Sequence, residues 1–148
     1  MDDRFDLQRF VAAQHPVYPA VLGELRAGRK RSHWMWFIFP QIAGLGHSAT
    51  AQAFAVSSLT EAVAYLAHPT LGPRLRECAA LVAAVEGRSI DEIFGHPDDL
   101  KFHSSMTLFA EAAPREPIFA TCLQKCFGGQ RDPRTLAILS RIVENGPD

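Results

Sequence analysis

Lys30, Ser32, His33, Trp34, Trp36 and Gln41 crowd one short stretch of this sequence, and Arg74, Lys101, Ser104 and Asp132 interrupt apolar segments further along. These residue types are suited to one kind of chemistry. Lys30, Arg74 and Lys101 would neutralise a phosphate. Trp34 and Trp36 would offer flat indole walls to a planar ligand. His33 or Asp132 would act as general acid or base, and Ser32, Gln41 and Ser104 would supply uncharged polar contacts. The competing reading is structural: caps, satisfied core polar groups, and a Lys101 ammonium that snorkels to water. Convergence decides between them, because a site needs these groups around one cleft.

Other chemistries find little support. Gly44-Leu45-Gly46 lacks the third glycine of a dinucleotide fingerprint, although two glycines ahead of a helix could form a small anion-binding nest. Cys122 and Cys126 lie four apart on one helical face without a second ligand pair, so no metal site is expected. No Gly-x-Ser-x-Gly elbow is present. Arg26, Arg29, Lys30 and Arg31 form a basic cluster that would suit phosphate or a solvated helix end. The formal net charge of -1 argues against nucleic acid as a partner.

The elements that must position these groups read as helices. From Trp34 to Phe39 every side chain is large and apolar, so the segment must be wrapped on all sides, as a short central helix or a buried strand. Ser32 stands where its N-cap would be, and Pro40 ends it. Gly28 stops the preceding helix, which begins near Pro19. Ser58-Leu59-Thr60-Glu61 and Ser89-Ile90-Asp91-Glu92 read as capping boxes. Leu71, Leu75, Cys78, Ala79, Val82 and Val85 form one inward stripe. Asp98 and Asp99 fall in the first turn of a helix that runs to Pro114. Asp132-Pro133, a carboxylate N-cap followed by proline at N1, is the clearest helix start. No alternating run or Asn-Gly hairpin signals a strand. The expectation is an all-α fold of about six to eight helices around a short hydrophobic hub.

The 148 residues, 47% hydrophobic and 21% charged, fit one globular domain, 1–148. The chain shows no signal peptide, and its longest apolar run falls short of the ~20 residues that span a bilayer, so no membrane partner is expected. Three cysteines make no paired framework, which agrees with a cytoplasmic location.

The sequence also resembles the DUF-1810 family, a bacterial domain of unknown function. The likeness is carried by Lys30-x-Ser32-His33-Trp34-Met35-Trp36-Phe37-Ile38-Phe39-Pro40-Gln41 and by Gly44-Leu45-Gly46-x-Ser48. It continues through Tyr65-Leu66-x-His68-Pro69-x-Leu71-Gly72-x-Arg74-Leu75 and Asp98-x-x-Lys101-x-x-Ser104-Ser105-Met106-Thr107-Leu108-Phe109. Phe127-x-Gly129-x-x-Asp132-x-x-Thr135-Leu136 completes it. The resemblance implies a compact all-α protein with a central helix and brings no activity with it. A more distant analogy, to helical NADAR domains that act on ADP-ribose derivatives, suggests a glycosidic bond as substrate. The resulting expectation is a binding protein for a phosphorylated or nucleotide-like small molecule, or a hydrolase of one. The alternative is a non-catalytic interaction domain. Neither a cofactor nor an oligomeric state can be assigned from the residues.

Overall fold

A computed structural model describes residues 3–144, and side chains through residue 142. The chain is all-α. Among the described residues ten helices follow one another: α1 (Gln8–Gln14), α2 (Tyr18–Arg26), α3 (Met35–Ile38), α4 (Ala49–Ala53), α5 (Leu59–Ala67), α6 (Leu71–Ala84), α7 (Ile90–Phe94), α8 (Asp98–Ala112), α9 (Pro117–Phe127) and α10 (Pro133–Glu144). The count exceeds the expected six to eight because three one-turn pieces, α3, α4 and α7, stand as separate helices. Among the described residues the sole β feature is an isolated parallel bridge between Ile42 and Val56. No helix there is long and apolar enough to cross a membrane.

The longest helix, α8, packs against α5, α7, α9 and α10, while α3 lies against α1 and α6. From Ser104 to Ala110 every residue of α8 is buried. A helix buried all round must satisfy its polar groups internally, and Thr107 does so by donating to the His103 carbonyl (2.9 Å).

The hub joins this framework through aromatic rings. Phe39 meets Phe102 edge-on at 4.9 Å and Trp34 at 6.2 Å, and Phe94 stacks on Phe102 at 4.9 Å. Such pairs favour these separations, and here they tie α3 to α7 and α8. Wrapping is incomplete, however. Trp34, Met35, Ile38 and Phe39 are buried, whereas Trp36 and Phe37 are only half-buried. A single helical turn with one face left open is the first condition for a cleft.

Helix ends follow local chemistry in most places. Ser89 and Glu92 form the full capping box of α7. Ser58 caps α5, but Glu61 turns its carboxylate to the Ser57 backbone N–H (2.9 Å) and hydroxyl (2.8 Å) rather than to Ser58. Arg9 also reaches Glu61 (3.1 Å), which is why that carboxylate can be buried. His68 accepts the N–H groups of Thr70 and Leu71 at the start of α6. Gly28, at φ 73°, makes the left-handed turn out of α2 that delivers Lys30 to the hub.

Candidate functional site

The open face of the hub is one wall of a cleft of about 340 Å³, near the low end of volumes typical of ligand pockets. Lys30, His33, Trp34, Met35, Trp36 and Phe37 line it from the hub and the loop before it. Thr50 adds a rim from α4, and Asp98 and Lys101 enter from the first turn of α8.

Asp98 is the centre of the cleft's electrostatics. Its Oδ2 accepts from Lys30 Nζ at 2.8 Å and its Oδ1 pairs with Lys101 Nζ at 3.1 Å. Residues three apart on a helix share a face, which places Lys101 beside Asp98. Lys30 comes from the other wall, its backbone N–H anchored on the Ile93 carbonyl (2.7 Å). Burial works to raise the Asp98 carboxyl's pKa, but hydrogen bonds and charge from the two lysines outweigh it and hold it below its usual value. Two ammoniums against one ionised carboxylate leave a surplus of one positive charge. Each ammonium also lies over an indole, Lys30 5.2 Å from the Trp34 ring and Lys101 5.3 Å from the Trp36 ring.

These contacts limit what the tryptophans can do. Trp34 is 1% exposed and offers no face to a ligand. Trp36 is the available wall, with one face under Lys101 and an edge packed on Gly46. A Cβ at Gly46 would stand 2.8 Å from that ring and 2.5 Å from the Ala51 Cβ, so only glycine lets the loop lie this close.

Of the residues singled out in the sequence, Lys30, His33, Trp34, Trp36 and Lys101 line this one cleft. His33 is exposed at the rim rather than buried beside the tryptophans. The other expected residues stand elsewhere. Ser32 does not cap α3, whose N-cap position is Trp34; its hydroxyl donates to Glu24 (2.5 Å). Gln41 is buried and its Nε2 has no hydrogen-bond partner among the described residues. Arg74 lies over the Tyr18 ring (4.5 Å) and donates to Gln14 Oε1 (3.3 Å). Gln14 in turn holds the Phe37 carbonyl (2.7 Å) and the Tyr65 hydroxyl (3.0 Å), so Arg74 supports the hub through Gln14.

Asp132 and Ser104 lie in the joint between α8 and α10 and do not line the cleft. Asp132 accepts from Thr135 Oγ1 (2.7 Å), Ser104 Oγ (2.8 Å), Thr135 N (3.3 Å) and Arg134 N (3.4 Å). Burial works to raise its pKa, yet the Thr135 and Ser104 hydroxyls keep it lowered. A carboxylate saturated this way is an N-cap that fastens α10 to α8.

Two functional candidates escape the reading of the sequence. Asp98 stands out there only as a first-turn acid. Glu24 does not stand out at all, and it accepts four hydrogen bonds: from Arg31 N (2.7 Å), Ser32 N (3.0 Å), Ser32 Oγ (2.5 Å) and Trp34 Nε1 (2.9 Å). Burial would raise its carboxyl, but these donors prevail and take its pKa down to about 2. The available signal is Trp34 itself, because a buried indole N–H needs an acceptor. Among the described residues no group of three or more His, Cys, Asp or Glu is arranged to hold a metal ion.

Fold and cleft together define a class: a small all-α protein whose central tryptophan-rich turn forms one wall of a lysine–aspartate–lysine cleft. The chain belongs to the family described as "Protein of unknown function (DUF1810)", whose sequence model matches residues 4–139. It is similar to the solved structure of the conserved hypothetical protein Rv1873 from Mycobacterium tuberculosis. The two are 61% identical over 93% of this chain and 99% of that one, with a TM-score of 0.92. No curated protein matches the chain.

Proposed function

We propose that this cleft binds a phosphorylated or nucleotide-like small molecule, with Lys30 and Lys101 on its anionic group and Trp36 against its flat part. The observation that supports the reading is the meeting of two lysines from different elements at one carboxylate, beside a half-exposed indole. A surplus positive charge in a partly desolvated cleft favours an anion more strongly than the same charge in bulk water. In the hydrolytic version of this reading, Asp98 takes the place first given to Asp132. A carboxyl held below its usual pKa is ionised at neutral pH and is a weak base, so its part is to stabilise developing positive charge, and His33 at the rim is the remaining group for proton transfer. The protein acts as one helical domain in the cytoplasm, where its three free cysteines would remain reduced.

The test is a thermal-shift screen against nucleotides, ADP-ribose and sugar phosphates. A ligand at 100 times its Kd adds about 2.7 kcal/mol, which raises the melting temperature by roughly 5–10 °C in a chain of this size. Lys101→Ala should abolish the shift. A flat screen, or an undiminished shift in Lys101→Ala, overturns the reading in favour of an interaction domain.

A further inference from the structure

Glu24 does not line the cleft, yet it accepts four hydrogen bonds from the segment that forms one of its walls. Its carboxylate gathers the backbone N–H groups of Arg31 and Ser32, the Ser32 hydroxyl and the Trp34 indole N–H onto a single side chain. The gathered segment carries Lys30 at one end and Trp34 at the other, with His33 between them. Without an acceptor there, residues 31–33 have little to hold them between the Lys30 anchor and the packed Trp34 ring: α3 begins without a side-chain cap, and Arg31 and His33 are exposed. The carboxylate is suited to this task. A carboxylate accepts several hydrogen bonds on two oxygens and donates none, so it can serve backbone, hydroxyl and indole together.

We infer that Glu24 is the positioning residue of the cleft: a carboxylate on α2 that holds the Lys30–Trp34 wall in register with Asp98 and Lys101 on α8. The inference rests on the cleft being the ligand site. Lys30 reaches Asp98 at 2.8 Å from a loop fixed at both ends, by the Ile93 carbonyl at Lys30 and by Glu24 from Arg31 onward. The part Glu24 plays is geometric. It fixes where the ammonium of Lys30 and the indole of Trp34 stand before any ligand arrives, which is the condition for strong recognition by few contacts.

The experiment compares Glu24→Ala, Glu24→Gln and Arg76→Ala with the wild type. Arg76 pairs with Glu116, does not line the cleft, and serves as a control for general loss of stability. Adenosine monophosphate and inorganic phosphate are the binding probes. The two tryptophan indole N–H resonances and the exchange rates of the Arg31 and Ser32 amides report the loop. Glu24→Ala should keep the wild-type helical circular dichroism, exchange its Arg31 and Ser32 amides faster, and move the Trp34 indole resonance. Its affinity for the probes should fall about tenfold, the cost of re-ordering even one backbone residue on binding. Glu24→Gln keeps an acceptor oxygen, so it should recover most of that affinity. Wild-type affinity in Glu24→Ala, or a loss no larger than in Arg76→Ala, overturns the inference. If the wild type binds neither probe, the ligand reading fails, and the indole and amide signals decide the positioning role separately. Unchanged signals in Glu24→Ala would refute it.

Discussion

Replacing Asp98 with asparagine should weaken the fold and strengthen anion binding, two effects that rarely accompany each other. The amide would keep the shape of the carboxylate and remove its charge. The side chains concerned are 18% exposed for Asp98, 8% for Lys30 and 29% for Lys101. Exposed pairs contribute about 1 kcal/mol at most, whereas breaking a buried pair costs about 3–5 kcal/mol. The Lys30 pair stands nearer the buried limit and the Lys101 pair nearer the exposed one. Asparagine can still accept from one lysine, so the loss should total about 2–3 kcal/mol, a fall of roughly 5–10 °C in melting temperature.

The pH dependence has a definite sign. The folded-state pKa of Asp98 is lowered, so its contribution is fully present above the unfolded value near 3.9 and is lost as pH falls through the folded one. The gap between Asp98→Asn and the wild type should therefore be full at neutral pH, begin to narrow as pH falls below about 4, and close only below the folded-state pKa. Meanwhile the cleft's surplus charge rises from one to two. Phosphate-bearing ligands should bind several-fold tighter at low ionic strength, less so in salt. Melting curves in buffers from pH 3 to 8 and phosphate titrations check both effects. A neutral-pH melting temperature within about 1 °C of wild type, or a gap that does not narrow between pH 5 and pH 3, refutes the electrostatic argument. Weaker phosphate binding would show that Asp98 contacts the ligand directly.

Two further substitutions separate scaffold from site. Asp132→Ala removes a helix cap and strands the Thr135 hydroxyl, while Ser104 can still donate to the Leu100 carbonyl (3.1 Å), so urea denaturation should show a loss of about 1–3 kcal/mol with ligand affinity unchanged; reduced affinity without reduced stability would return Asp132 to the site. Gly46→Ala drives a methyl into Trp36 and Ala51 and should cost about 1–3 kcal/mol by overpacking. Because Trp36 must move, ligand affinity should fall with it, and an unaltered affinity would remove Trp36 from the cleft's working surface.

Local features are legible in the sequence because their causes are local. Ser89 with Glu92, and Asp132 with Pro133, mark helix starts within a few residues. The all-apolar run from Trp34 to Phe39 could only be a hub. Lys30, Trp36 and Lys101 could be named as chemistry-bearing, but their meeting point could not, because Asp98 lies far from Lys30 along the chain. Ser32 shows the opposite failure. It has the right spacing for an N-cap, but the Glu24 carboxylate competes for its hydroxyl and prevails. Asp132 and Ser104 look equally functional in sequence because a saturated cap and a catalytic acid use the same residue types. What separates them is where the donors come from.

The single turn of α3 has a further meaning. Its backbone is held largely from outside: the Phe37 carbonyl by the Gln14 side chain, the Trp34 indole by Glu24, its rings by α7 and α8. Within the turn, the Ile38 and Phe39 N–H groups reach back to the Trp34 and Met35 carbonyls at 3.2 and 2.9 Å. Isolated helices shorter than about 12 residues are marginal in water, so these residues take their shape from their surroundings. The most recognisable words of the chain are therefore not portable. Grafted onto another scaffold, residues 30–41 would carry the letters of the site without its geometry, which is stored in α1, α2, α7 and α8.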